Sequence, residues 1–471
     1  MRPKLFPNAP EVVPGLVAGA AVLLALSLAI SYGTFDPYAL VLVTAAGGAA
    51  FLAFRLGLRG ESSAATNAPV IILGLGLGLS IIHNMLYLPG VLVDPARLGG
   101  YRPGLVAIAV LLASYLWKRA PQWFVRVRFP AILMIAAALG AAVILASPSP
   151  GIDVWHLLQG GAEALLSGKN PYSVLYPNIY GPGTPNIDPS LLSPDGRYVI
   201  ATPFPPLTLL LVAPAAWIGD VRWATLAAMV LAAVLIRALG NGSVEGELAG
   251  TLLLLQPEGF FVLELSWTEP IALAAMLLFT LAIARVPDNG PPGQAGGRRS
   301  WLVAGFAAAV AASSKQYVPI LLLPLFFALP AGVRVRTAIV ALAGALALLV
   351  PFALGDPAGF FRSVVEFQFR QPFRHDALSW LAAIAALGGP TLPSWPAFLL
   401  AGAALAATVR SSISPWQSLL SSAIVWLVLV AFNKQAFCNY YWLAVGLLCA
   451  TLAALPRRDE RSPSHQEKER K

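Results

Sequence analysis

The stretch FPAILMIAAALGAAVILASPSPGIDVWHLLQ, residues 129–159, decides how the chain is to be read. Residues 129–147 carry no charge and fill the ~17–25 positions that an α-helix needs to cross a bilayer. Ser147-Pro-Ser-Pro-Gly151 then breaks the run, and Asp153 opens a segment of a different character. Val154, Leu157, Leu158, Ala162, Leu165 and Leu166 recur at helical spacing, while Asp153, His156, Glu163 and Ser167 project from the other face. That pattern predicts an interfacial helix at a membrane exit, ended by Gly168 and the Asn170-Pro171 pair.

The rest of the chain has the same character. Hydrophobic residues fill 58% of the 471 positions and charged residues 11%, with a mean hydropathy of +0.73; a soluble domain is only about 45–50% apolar. The chain is therefore read as an all-α polytopic membrane protein. Its first apolar run, Val12 to Ser31, exceeds the ~7–15 residues of a signal-peptide core and lacks a small-residue cleavage site, so it reads as a retained span. Cys438 and Cys449 lie on one helix, too far apart at ~1.5 Å per residue to pair. The net charge of +9 sits mostly in short loops and the tail, the positive-inside pattern, and no nucleic-acid partner is expected.

Helices are expected near 12–32, 38–55, 69–89, 104–117 and 129–147. Arg2, Lys4, Arg55, Arg59, Lys118, Arg119, Arg126 and Arg128 then share one side, which the charge bias makes cytoplasmic, and Asp153 emerges on the outer face. Further on, a plain count of apolar segments would put Arg285, Arg298, Arg299 and the Pro/Gly-rich linker 286–297 outside. The conflict disappears if 203–218, interrupted by Pro203, Pro205, Pro206 and Pro214, is re-entrant or interfacial and if 378–388 does not span. Arg237, Arg285, Arg298, Arg299, Arg334, Arg336, Arg410 and the tail are then all cytoplasmic.

The expected architecture is a transmembrane bundle of about 14 spans in the plasma membrane, with both termini cytoplasmic. Residues 1–128 read as an N-terminal module of about four helices, in which Gly74, Gly76 and Gly78 predict tight packing. Residues 129–455 form the main transmembrane domain with outer loops 148–202 and 354–377, and 456–471 a disordered cytoplasmic tail. The outer face gathers Asp153, Glu269, Lys315, loop 354–376 and Asn433-Lys434-Gln435. Segment 170–202, with six prolines and four tyrosines, reads as an ordered turn-rich loop whose aromatics suit a sugar or lipid face.

The exofacial Asp153 heading an amphipathic helix, Gly168-Lys-Asn-Pro-Tyr172, Pro203-Phe-Pro-Pro-Leu207 and Ser314-Lys315-Gln316 together resemble the C-superfamily (GT-C) of membrane glycosyltransferases. Within it the set is most similar to the bacterial polyprenyl-phosphate-mannose-dependent mannosyltransferases of the "domain of unknown function" type, over roughly residues 129–455. The resemblance implies inverting transfer of a hexose, mannose foremost, from a polyprenyl-phosphate sugar to a lipid or glycan acceptor of the cell envelope. It places Asp153 at the position of the catalytic base, and Glu269 at that of a second acid carried twelve residues after a span proline, here Pro257. The chain departs from the family in having five spans before the base loop, and in Glu269 where Asp is more usual.

The chemistry accords with those roles. A hydroxyl acceptor needs a base to take its proton, and a positioned carboxylate contributes about 10²–10⁴-fold. A phosphate leaving group needs cations, for which Lys315, Arg370, Arg374 and Lys434 are the candidates. Candidates for the sugar and acceptor are His156, Asn170, Tyr172, Gln316, His375, Gln435, Asn439 and Tyr440. No metal or other cofactor is expected; an Asp153/Glu269 pair sharing a divalent cation is the alternative.

Each candidate has a structural reading beside the functional one. Asp153 and Glu269 could be helix caps, Glu258 and Glu264 members of a packed polar seam, and His83 an interhelical hydrogen bonder. Loop 354–376, with Phe360, Phe361, Phe367, Phe369 and Phe373 among Arg362, Arg370, Arg374 and His375, could be an interfacial amphipathic helix. A flippase or transporter of lipid-linked intermediates is the rival from another class. An exofacial oligosaccharide ligase or polymerase is the rival enzyme.

Overall fold

A computed structural model describes residues 9–58, 67–181, 187–286 and 297–456. The expectations for Arg2, Lys4, Arg59, the linker 287–296 and the tail 457–471 lie outside the described residues, as do the side chains of Arg298 and Arg299. Among the described residues the protein is all helical, with three isolated β-bridges as its only strand-like pairing.

The chain begins with α1 (Ala9–Ser31), α2 (Pro37–Gly57), α3 (Ala68–Leu86), α4 (Tyr101–Ala113) and α5 (Gln122–Ala146). The amphipathic α6 (Asp153–Leu166) leads into the long loop, after which come α7 (Pro206–Trp217), α8 (Arg222–Leu239), α9 (Val244–Leu255), α10 (Gly259–Glu264) and α11 (Glu269–Ala284). Next are α12 (Gly297–Ala312), α13 (Val318–Phe327) and α14 (Ala331–Gly355). A surface helical segment follows, made of α15 (Pro357–Phe360), a π turn at Phe361–Glu366 and α16 (Phe367–Arg370). The chain then forms α17 (Trp380–Ala386), α18 (Trp395–Thr408), α19 (Pro415–Ala431) and α20 (Cys438–Ala453).

Within α1, residues Val12–Ser31 are long and apolar enough to cross a membrane, as are the whole of α2, α3, α5, α8 and α14. This is a helical membrane protein. At 12 residues α7 rises ~18 Å and at 7 residues α17 rises ~10 Å, both short of the ~30 Å hydrocarbon core, as is α13 at 10 residues, so length alone does not separate crossing from non-crossing helices.

Local chemistry sets the helix ends. The Asp36 carboxylate accepts the Ala39 N–H at 2.9 Å with Pro37 in the first position of α2. Ser243 Oγ does the same for Gly246 at the start of α9. After α6, Gly168 takes the left-handed conformation at φ +71°; its N–H reaches Leu165 O while that of Lys169 reaches Ala164 O. These are the paired bonds of a Schellman terminator.

Contacts between helix ends sort the bundle into two poles. At the loop-bearing pole, Asn84 at the end of α3 donates to Leu255 O at the end of α9, and the Asp94 N–H to Ala146 O at the end of α5. The exit of α1 meets the later loop there too, through Phe35 N–H to Asp376 O at 2.8 Å. At the opposite pole Tyr115, Arg128 and Arg237 all converge on Glu247.

One hydrophobic cluster joins α1–α5 to α8–α13 and α18–α20, so the described part of the N-terminal 128 residues shares a core with the rest of the bundle. A second cluster lies beneath the long loop, between α6, α7 and the surface helical segment. Against α20, Gly33 is so close that a Cβ there would stand 2.5 Å from Cys438 N. In contrast, α14 is almost unburied, only 6% over its most apolar window. Its close approach to α12 uses Gly305 and Gly344, where a Cβ would meet Val340 and Ala309 at 2.7 Å.

Of the three glycines in α3 only Gly76 is a packing contact: a Cβ there would fall 2.5 Å from Val22 Cγ2, while Gly74 and Gly78 face open space. Gly76→Ala should therefore destabilise the protein by about 1–3 kcal/mol through overpacking. Gly74→Ala and Gly78→Ala should leave it unchanged or gain up to ~1 kcal/mol of helix propensity. Thermal unfolding of the three variants in one detergent checks this, and equal losses at all three would refute it.

Candidate active site at the loop-bearing pole

Asp153 stands on a helix that is locked in place. The Arg222 guanidinium is fully buried; it pairs with Asp220 at 2.6 Å and donates to Ser147 O at 2.6 Å, which ties α8 to the end of α5. Gln159 Oε1 accepts the Val221 N–H and Trp155 Nε1 reaches Asp220, so α6 is held by the same junction. Ile152 occupies the cap position of α6, and the Asp153 carboxylate makes no capping bond. It accepts instead from the adjacent Val154 N–H at 2.8 Å and from the Tyr180 hydroxyl at 3.1 Å.

Tyr180 comes from the long loop, where the Asn178 side chain accepts the Tyr180 N–H and donates to Gly181 O. This is a local Asx turn, and it aims the phenol at Asp153. The Tyr180 oxygen also accepts the Asp153 N–H at 3.1 Å. Burial raises the Asp153 pKa above the ordinary carboxylate range. The Tyr180 hydrogen bond, the N–H groups and the charge of Arg374 pull it back. Burial lowers the pKa of the nearby His156 imidazole, with the charge of Asp153 opposing.

If Asp153 acts as a base, its activity rises with pH as the raised carboxyl ionises. Tyr180→Phe removes a hydrogen bond to the carboxylate, so the acid limb of the pH–rate profile should move to higher pH. An unchanged limb in that variant would show that the limb does not report Asp153.

Glu269 forms the second constellation. It lies in the first turn of α11, behind the cap residue Thr268, and makes no cap of its own. Its carboxylate is fully buried; Oε1 pairs with Lys315 Nζ at 2.8 Å and accepts from Tyr317 OH at 3.0 Å, while Oε2 has no partner. Lys315 also donates to Thr268 Oγ1 at 2.8 Å. Tyr317 stacks on Trp426 with ring centroids 4.2 Å apart, and Tyr440 packs edge-on against both. No hydrogen bond or ion pair joins Asp153 to Glu269 among the described residues. Nor does any group of three or more His, Cys, Asp or Glu there stand ready to hold a metal ion.

Each candidate cation already has a partner. Arg374 forms a two-pronged pair with Asp376, at 2.8 and 2.6 Å, and lies over the Phe437 ring; this pairing holds the Asp376 carboxyl below its ordinary range. Arg370 pairs with Glu366 at 2.5 Å. Lys434 Nζ donates to the carbonyls of Phe369 and Gln371 at 2.9 and 2.5 Å, and Gln435 to Pro372 O at 2.7 Å. The turn after α19 thus clamps the loop that carries the arginines. Burial lowers the Lys434 pKa, with Asp188 opposing.

The sugar and acceptor candidates divide. His156, His375 and Tyr440 keep exposed or half-buried rings at this pole, His375 packed edge-on against Phe373. Asn170 and Gln316 act as struts: Asn170 Nδ2 donates to Phe352 O, and Gln316 Nε2 to Pro203 O and Val364 O. Tyr172 is a core residue, 1% exposed, with its hydroxyl donated to Phe204 O and its ring against Phe360. Asn439 is buried at the start of α20.

Tyr180, Tyr317, Thr268 and Asp376 join these constellations through contacts that the sequence does not mark. Their partners lie between two and 48 residues away, and no periodicity marks such pairs. Near this pole, His83 Nε2 lies 3.0 Å from Glu258 Oε1, and Glu264 accepts the Val91 and Leu92 N–H groups. The polar seam is therefore shared between α3, the α3–α4 loop and α10. Comparison of the chain with protein-family models, curated proteins and solved structures finds no match.

Proposed function

We propose that this protein is a membrane glycosyltransferase that moves a hexose, mannose foremost, from a polyprenyl-phosphate sugar to a lipid or glycan acceptor at the outer membrane face. The observation that carries the reading is Asp153: a carboxylate on a locked interfacial helix, hydrogen-bonded by a loop tyrosine and within the field of Arg374. In the proposed step Asp153 takes the proton of the acceptor hydroxyl as its oxygen attacks the anomeric carbon. The bond from that carbon to the phosphate oxygen breaks, its electron pair leaves with polyprenyl phosphate, and the configuration inverts.

Arg374 is the cation best suited to the leaving group, because a guanidinium can hold phosphate oxygens in two-pronged fashion and its present partner Asp376 is half exposed. The arrangement in the membrane follows the charge bias. Helices α1–α5, α8, α9 with α10, α11–α14 and α18–α20 supply about fourteen crossings, with α6, α7 and α15–α17 at the outer face. The test is transfer of radiolabel from polyprenyl-phosphate mannose to lipid or glycan by membranes containing the protein, extended to a panel of other polyprenyl-phosphate sugars. Absence of transfer from every donor would defeat the proposal.

A second reading, a transporter of lipid-linked intermediates, draws on the break between α9 and α11. Glu258 and Ser266 have left-handed backbones there, at φ +65° and +58°, and Glu258 and Glu264 are buried. Broken helices with buried acids also mark substrate pathways. A transporter would move the donor across a vesicle without consuming it, whereas the transferase releases polyprenyl phosphate in step with glycoside formation.

A further inference from the structure

We infer that the pole opposite the long loop carries a binding site for a phosphate-bearing headgroup, that of an anionic membrane lipid, between α5, α8, α9 and the turn after α4. The site is built from Arg128, Arg237, Tyr115 and Glu247. Two guanidiniums share the one Glu247 carboxylate: Arg237 Nε holds Oε1 at 3.0 Å, and Arg128 Nη2 reaches Oε2 only at 3.4 Å. The Tyr115 hydroxyl competes for that same Oε2 at 2.8 Å.

Arg128 is consequently short of acceptors. Its side chain is 8% exposed and its Nε, buried, has no hydrogen-bond partner. Its plane is covered by the Tyr115 ring at 3.6 Å. A buried guanidinium whose Nε is unpaired and whose bond to its counter-ion is long is costly, and a second oxyanion would satisfy it. Arg237, 39% exposed, provides the route in from the surface. A phosphate brings its own negative charge and non-bridging oxygens to both guanidiniums, supplying the acceptors that the single Glu247 carboxylate, shared with Tyr115, does not.

The surroundings place the site at headgroup depth. Trp117 and Trp123 are exposed beside it, as amphipathic rings are at a membrane interface. Lys118, Arg119 and Arg126 are exposed on the same turn and helix start, adding attraction for an anionic leaflet. The sugar-transfer chemistry proposed above uses none of these residues, so this inference stands apart from it.

The full-length protein in detergent, offered equal phosphatidylglycerol and phosphatidylcholine of matched acyl chains, should retain the anionic lipid about fivefold or more over the neutral one by native mass spectrometry. Arg237→Gln, at a half-exposed position, should abolish that preference, and Glu247→Gln, which removes the competing carboxylate, should strengthen it. Inorganic phosphate and glycerol 3-phosphate form the second arm, read as thermal stabilisation. Stabilisation by these without any lipid preference would assign the site to a soluble phosphate. Equal retention of both lipids with no phosphate effect, or a preference unchanged in Arg237→Gln, overturns the inference.

Discussion

Asp153→Asn is expected to lower sugar transfer by roughly 10²–10⁴-fold, the contribution of a positioned base, while leaving the amount of folded protein unchanged. The amide is the same size as the carboxylate, and its oxygen can still accept from Tyr180 and Val154. What it cannot do is take the acceptor's proton. Because burial already disfavours the charged carboxylate, neutralising it removes no net stabilisation that would confound the assay. The measurement is radiolabel transfer from polyprenyl-phosphate mannose in membranes with matched expression. Equal labelling by wild type and variant would take Asp153 out of the chemistry and remove the main support for the transferase reading.

Lys315→Met should produce the largest loss of stability at this pole, about 3–5 kcal/mol, because it strands a buried carboxylate. Glu269 is fully buried, its Oε2 has no partner, and without Lys315 only the Tyr317 hydroxyl would remain to it. Glu269→Gln should cost much less. The amide oxygen can keep the Tyr317 bond, and Lys315, 13% exposed, has some access to water. The double variant should recover most of what Lys315→Met loses, and unfolding temperatures in detergent would display that order. If Lys315→Met is as stable as wild type yet loses transfer with a raised KM for the donor, Lys315 belongs to donor binding and the ion pair is incidental to the fold.

Much of the scaffold was legible because it depends on local signals. The uncharged runs marked α1, α2, α3 and α5 to within a few residues at most ends, although α5 begins at Gln122 and takes in the basic residues Arg126 and Arg128. Helical spacing found α6, and Gly168 marked its end. The prolines of 203–218 signalled the short α7. Hydropathy does not report depth or partners, so the brevity of α9 and α13 and the turn at Glu258 were not foreseen. The site was legible only as single residues. Asp153 and Tyr180 are 27 positions apart and Glu269 and Lys315 are 46 apart. Only the packing of α6 under the loop, and of α11 against α12, brings each pair together. Residue type alone also could not separate Tyr172, whose ring is walled into the core, from Tyr180, whose hydroxyl meets the acid.

The seating of α1 against α20, with Gly33 close on Cys438, bears on how the protein is made. The earlier-made of these two helices waits for the later one, about 400 residues on. At ~5–20 residues per second of synthesis, the interval between them is on the order of tens of seconds. Throughout that time α1 and α2 have each other and α3, while the faces that α20 and α19 will cover stay open to lipid or to other proteins. A chain stopped anywhere before α20 would leave that face of α1 uncovered.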